Sequence, residues 1–424
     1  MLKRILYIFL VFISIKAVGQ RANSSPYSFF GIGQQYSSQT VEQASMGGIG
    51  VAFSDSYHLN LMNPAGNAHL RFATYTFGLT VNDLTIKDFS GSQSSTSTSL
   101  SYVNIGFPIG KNAGASFGLQ PNTSVGYSLL NEVKDTDGEI LELTRFYGIG
   151  GTNRVYGAFG MLLTKGFSVG VEAEYVFGKT ENSVLSQRAN VSLGTNNTEE
   201  TILRGSGLKI GMQYQKEVSN KLMLNFGVTM KLENKLKTNG LAHLYSSLSG
   251  APRDTISSIT INGKIVSPIK TGLGVGLGKT GKWYAGLEYE FQDALSIQGS
   301  LLSESTSYAY GNSNKLSLGG FYLPKSNSIS NYWDRVTYRA GLRFEKTGLL
   351  VSKTSVVGDF TEINDFGISF GLGLPMGKKL SNLNLGIEYG TKGSTANNLI
   401  QEKYFNFRLS LSLNDSWFIK REID

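Results

Sequence analysis

The residues best placed for chemistry are charged side chains that recur two apart inside apolar runs. Glu172 and Glu174 alternate with Val171, Ala173 and Tyr175, and Glu288 and Glu290 alternate with Leu287, Tyr289 and Phe291. Arg339, Arg343 and Glu345 punctuate 336–345, and Glu388 and Arg408 stand in two later runs of the same kind. Carboxylates and guanidiniums gathered on one strand face can act in two ways. They can pair with one another and hold an enclosed space together, since buried charges must be paired or solvated. Alternatively, an arginine can grip a substrate carboxylate with its planar fork. Pairing is the commoner fate of enclosed charges.

Other chemistry has little to stand on. The three histidines, His58, His69 and His243, show no metal-ligand spacing and no catalytic partner, so no metal, no cofactor and no enzymatic activity is expected. The chain has no cysteine, which removes disulfides, thiol chemistry and thiolate metal sites. The glycine-rich run 272–280 imitates a phosphate loop, but Leu273 falls where the motif's first glycine belongs. No basic block interleaves with aromatics, so nucleic acid is not an expected partner.

The elements that must carry these charges are strands. In 404–413, Phe405, Phe407, Leu409, Leu411 and Leu413 alternate with Asn406, Arg408, Ser410 and Ser412. Such alternation gives a strand one apolar face and one polar face. Runs of this kind recur at about ten residues, the length a tilted strand needs to cross a bilayer. We expect fourteen, the first starting near Arg71 and the last near Lys403. Beyond the N-terminus no apolar run is long enough for a membrane-spanning helix.

Periodicity alone does not distinguish a soluble sandwich from a membrane barrel, but connection lengths do. Short links such as 109–112, 165–166 and 279–281 alternate with long ones such as 131–153, 180–201 and 236–268. Short turns on one side and long loops on the other are the habit of outer-membrane barrels, with apolar faces toward lipid and charges toward the lumen. The fold class is therefore all-β, a 14-stranded antiparallel transmembrane β-barrel with both termini periplasmic. The β-like stretches 139–147, 183–193 and 256–266 are expected to continue strands outward, with a count of sixteen spans as the alternative. Trp283, Trp333 and Trp417 fit an interfacial girdle near strand ends.

The N-terminus divides further. Lys3 and Arg4 precede a nine-residue apolar stretch, and Ala17-Val18-Gly19 fits a cleavage site, so 1–19 is expected to be a signal peptide. Its removal lowers the formal charge from +8 to +5. Residues 20–70 break the alternation and are rich in Gly, Ser, Ala and Gln; they are expected to form a hatch inside the barrel of 71–414. Residues 415–424 are left as a short periplasmic tail.

In its hatch and strand layout the chain resembles the FadL-type hydrophobic-substrate channels of bacterial outer membranes. The small-residue run 44–52, containing Gly47 and Gly48, and the following Asn63-Pro64-Ala65-Gly66 are similar to that family's hatch motifs. The run 268–274 resembles its later strands, and 322–344 resembles a Bacteroidota-type branch. The resemblance implies passive outer-membrane uptake of hydrophobic molecules or lipids, long-chain fatty acid-like, with sideways release where a strand is kinked. Pro121 lacks a ladder donor. With Gly118 and Asn122 it marks a candidate lateral gate in the third strand; a bulge without any gate is the plainer alternative. Tyr27, Phe29, Phe30 and Tyr36 are candidate substrate contacts whose commoner role is packing. The rival function is a non-transporting barrel subunit of an outer-membrane protein assembly or secretion complex, with protein partners at the periplasmic turns. A continuous apolar path to Pro121 would favour transport, and a sealed, charged lumen would favour the subunit.

Overall fold

The computed structural model describes residues 23–415 apart from 90, 220, 249–250, 300–306, 353–358, 377–380 and 397–398. The expected signal peptide, Trp417 and all of the expected tail but Asp415 lie outside the described residues. The N-terminal segment contains a two-residue strand, β1 (Gln34–Gln35), and one helical turn, α1 (Val41–Ala44). The strands that follow are β2 (Ala73–Lys87), β3 (Ser92–Ile109), β4 (Ala113–Lys134), β5 (Ile140–Thr164), β6 (Phe167–Arg188), β7 (Leu193–Ser219), β8 (Leu222–Lys231), β9 (Asn234–Leu248) and β10 (Ala251–Ser267). The last nine are β11 (Lys270–Lys279), β12 (Trp283–Gln292), β13 (Ser296–Gly299), β14 (Tyr308–Tyr310), β15 (Ser313–Tyr322), β16 (Thr337–Ser352), β17 (Phe360–Met376), β18 (Ser381–Gly393) and β19 (Gln401–Asp415).

Fourteen of these close a ring: β2 through β8, then β11, β12 and β15 through β19. The seam closes as β19 pairs antiparallel with β2 from Gln401↔Lys87 to Asp415↔Ala73. Closure removes the free edges that an open sheet would expose to lipid. The faces sort as the alternation requires. On β19, Phe405, Phe407 and Leu413 are exposed outside, while Asn406, Ser410 and Ser412 are buried inside. On β12, Leu287, Tyr289 and Phe291 look out while Glu288 is buried. Tight turns close one end; Gly166 and Gly281 supply the left-handed backbone (φ +82° and +70°) that two of them need.

At the other end the wall rises past the membrane. β5, β6 and β7 run 25, 22 and 27 residues, more than twice a span. The stretches 139–147 and 183–193 belong to these extensions. The stretch 256–266 lies in β10, which with β9 stands as a hairpin against the outer part of β7 (Leu193↔Leu248 to Arg204↔Lys237).

One wall junction is incomplete. β3 and β4 pair from Val103↔Leu119 to Ile109↔Ala113 and go no further. Past Leu119, β4 keeps its ladder with β5, shifted by one residue between Pro121 and Thr123. Gln34 and Gln35 of β1 then pair with Ser124 and Thr123.

A positive charge on the lipid face tests this sorting. Phe407→Arg, in the middle of the apolar band, should cost about 2–4 kcal/mol of folding stability in bilayers. Denaturant titration in lipid vesicles measures it; an unchanged midpoint would mean that this face does not meet lipid.

Candidate functional site: the filled lumen and the seam beside Pro121

Inward-facing charges from neighbouring strands meet in two networks. In the first, Arg154 on β5 donates to Glu172 (2.9 Å) and Glu174 (2.6 Å) on β6 and to the side-chain carbonyl of Gln120 on β4. Lys209 reaches the free oxygen of Glu172 at 3.1 Å, and Lys231 pairs with Glu174. Next along the wall, where Lys270 on β11 lies opposite Lys231 on β8, Glu290 takes both Lys270 (2.7 Å) and Lys315. In the second, Arg343 on β16 binds Glu345 (2.6 Å), Asp365 (3.1 Å) and Glu388 (3.1 Å), and Arg408 closes on Glu388 from β19. The phenol of Tyr404 donates to Asp365 at 2.6 Å. Glu172, Glu174, Glu290, Arg343, Glu345, Glu388 and Arg408 are thus brought together in the paired role.

Two expected members behave otherwise. Glu288 turns one oxygen to the N-terminal segment and accepts from the backbone N–H groups of Gly50, Val51 and Ala52 at 2.9, 2.7 and 3.1 Å. Arg339 is 7% exposed and donates to Asn384 at 3.2 Å, with no carboxylate at ion-pair distance among the described residues. Arg154, Lys209, Lys231, Lys270, Lys315 and Asp365 were not among the expected members. The signal was available for some of them: Arg154 shares strand parity with buried Tyr156 and Ala158, and Lys209 sits between outward Leu208 and Ile210.

Residues 23–70 lie against this inner wall, and wall glycines make room for them. Gly160, Gly170 and Gly211 stand side by side on β5, β6 and β7 through the pairs Gly160↔Gly170 and Gly170↔Gly211. A Cβ on Gly170 would collide with the backbone of Pro64 and Ala65, and one on Gly160 with Pro64 and Ala68. Gly319 and Gly341, paired on β15 and β16, face Met46 and Gly47 in the same way. Gly272 and Gly274 in the false phosphate loop face Val51 and Ala52.

The segment's own motifs fit this track. Thr40 and Gln43 form a reciprocal cap on α1. Gly47 and Gly48 then take left-handed backbone (φ +71° and +79°), and the Gly47 N–H donates to Ser369 at 2.9 Å. Asn63 accepts from Ala65 N–H (3.0 Å) and donates to the carbonyls of Val51 (2.7 Å) and Met212 (3.1 Å). Pro64 starts a short 3-10 turn where its missing N–H costs nothing, and Gly66 packs on Asn60.

The aromatic candidates are engaged in packing. Tyr27 donates to the Ile400 carbonyl. Phe29 meets Phe30, Tyr127 and Phe146 edge-on, Phe30 meets Tyr308, and Tyr36 accepts from Ser124. His58 is held by Asp55 through Nδ1 at 2.6 Å. Burial disfavours the His58 cation, but the adjacent carboxylate outweighs it and raises the pKa.

Pro121 sits at a bulge and also at the end of the β3–β4 ladder. A Cβ on Gly118 would strike the Asn104 side chain. Asn122 donates to Thr152 at 2.9 Å, and its carbonyl accepts from Tyr36 N–H at 3.0 Å. Beside the bulge lies a cavity of about 190 Å³, lined by Thr80, Asn82, Ser97, Ser99, Gln120 and the second charge network.

A closed fourteen-stranded barrel with an apolar belt and enclosed ion pairs is an outer-membrane β-barrel, and its fold is that of the FadL-type channels. A Pseudomonas aeruginosa FadL homologue superposes with a TM-score of 0.60 at 12% identity, covering 90% of this chain and 99% of that one. The Pseudomonas putida toluene transporter TodX gives 0.56 at 15% identity, over 90% and 99% of the two chains. The Ralstonia pickettii toluene transporter TbuX gives 0.55 at 12%, over 89% and 98%. No curated protein matches the sequence. The BamG family model matches residues 1–424, and the chain belongs to the BamG family.

Two substitutions probe the filled lumen. Gly170→Val should lift the 63–66 turn off the wall, read as faster backbone hydrogen exchange at 50–52 and 63–66 with the strands still protected. Unchanged exchange there would contradict the close approach. Arg154→Met leaves Glu172 with Lys209 and Glu174 with Lys231 as their remaining cations, removes two buried pairs, and should cost about 3–5 kcal/mol, the scale of a broken buried pair. The check is the unfolding midpoint in detergent, which would stay put if the pairs were idle.

Proposed function

We propose that this barrel is a non-transporting subunit of an outer-membrane protein assembly or secretion complex, with its wall and turns serving as docking surfaces. The observation that carries this reading is the cavity beside Pro121, where hydroxyl, amide and charged groups outnumber the apolar side chains of Val41, Ala44, Leu84 and Pro121. An apolar molecule heading for a side exit there would have to part ion pairs that are expensive to break and would gain little apolar contact in return. The interior is also tied shut by residues 23–70, the hatch, through Glu288, Asn63 and the glycine track. With both termini periplasmic, the short turns and the connection 324–334 face the periplasm and its partners.

A second reading keeps specific support. A passive channel for hydrophobic molecules, fatty acid-like and released sideways, is favoured by the ladder that stops beside Pro121. The aromatic cluster of Phe29, Phe30, Phe146 and Tyr308 near the long-loop end would be its point of capture.

Extraction of native outer membranes in mild detergent separates the two. The chain should migrate with other outer-membrane proteins at fixed stoichiometry, and the purified barrel in vesicles should not speed entry of a long-chain fatty acid above protein-free vesicles. A lone barrel carrying fatty acid, with accelerated entry, would replace the first reading by the second.

A further inference from the structure

The incomplete β3–β4 junction leaves main-chain groups unpaired on both sides, and the two sides are treated differently. On the β4 side the edge is occupied. Gln34 and Gln35 pair with Ser124 and Thr123, Tyr36 N–H donates to Asn122, and Gly126 N–H donates to Ser28. Pro121, Glu132 and Lys134 further discourage pairing along that strand. On the β3 side, residues 92–102 pair with β2 along one edge, and the other edge takes no backbone partner among the described residues.

That edge lacks the usual guards. Edge strands are protected by charges, prolines or covering segments, because a free row of N–H and C=O groups is a template for another strand. Residues 92–101 read Ser-Gln-Ser-Ser-Thr-Ser-Thr-Ser-Leu-Ser, with no charge and no proline. Thr96 and Thr98 are exposed on the outer face, while Ser97 and Ser99 line the 190 Å³ cavity between this edge and the segment 34–37. The junction already binds extended backbone on its β4 side, so its chemistry is strand addition.

We infer that the free edge of β3 takes an extended strand from a different polypeptide, with small polar side chains on its inward face. This rests on the docking reading and names its surface. Antiparallel pairing with β3 of a second copy is excluded by symmetry. Antiparallel β3–β3 pairing needs a twofold axis in the membrane plane, which would turn one barrel upside down. Inward side chains of the added strand would enter the cavity between Thr80, Asn82, Ser97 and Ser99, where hydroxyls and amides offer hydrogen bonds and bulky apolar groups would find none.

The absence of native cysteine makes the test direct. Thr96→Cys and Thr98→Cys, each carrying a benzophenone, are irradiated in outer-membrane preparations, with Thr260→Cys on β10 as the comparison. Both seam positions should give the same protein adduct, attached at partner residues two apart as strand register demands, and Thr260→Cys should not give it. The double variant T96K/T98K should lower recovery of that partner at least tenfold relative to T260K. Adducts with lipid or with this chain's own N-terminal segment, attachment without the two-residue step, no adduct, or unchanged recovery would each overturn the inference. If the detergent-extracted complex persists while the seam yields no adduct, the docking reading stands and this surface for it falls.

Discussion

The interior depends on backbone meeting backbone. A barrel of this size encloses more space than its own side chains fill, and here the space is taken by residues 23–70 pressed onto the wall. That approach works only where the wall carries no Cβ. Gly160, Gly170 and Gly211 on one side and Gly319 and Gly341 on the other give the N-terminal segment its seat. Glu288 and Asn63 then satisfy backbone groups that close packing would otherwise leave without partners. Around this seat the ion pairs link strand to strand.

The enclosed charges fit that role better than a binding role. Arg154 and Arg343 each hold two or more carboxylates, leaving little of either guanidinium for a ligand. Arg339 stands apart, buried with an amide for company. The cavity beside Pro121 inherits its polarity from the Arg343 network and from the serines of β3.

Much of this was readable in the chain. The period-two alternation located all fourteen spanning strands and placed Glu172, Glu288, Arg343 and Arg408 on the inner face, because side-chain direction in a strand is set by parity alone. Lengths were less accessible: β5 and β7 start at Ile140 and Leu193, well before the clean alternation that begins near Arg154 and Ile202, since their outer parts lose the apolar face once they leave the membrane. The glycine track was hidden. Gly160, Gly170 and Gly211 become neighbours only through register, which no single strand's sequence states. The same holds for the two sides of the junction at Pro121. The proline was visible, but that the β3 ladder stops at Val103 and that Gln34 and Gln35 pair with β4 follow from three-dimensional placement.

The central claim is that the N-terminal segment closes the lumen, and ion flow measures this most directly. In planar bilayers the chain from residue 20 onward should show no steady conductance, and a chain that also lacks residues 20–70 and still folds as a barrel should show a water-filled pore. Steady conductance from the full chain, equal to that of the shortened one, would contradict the account.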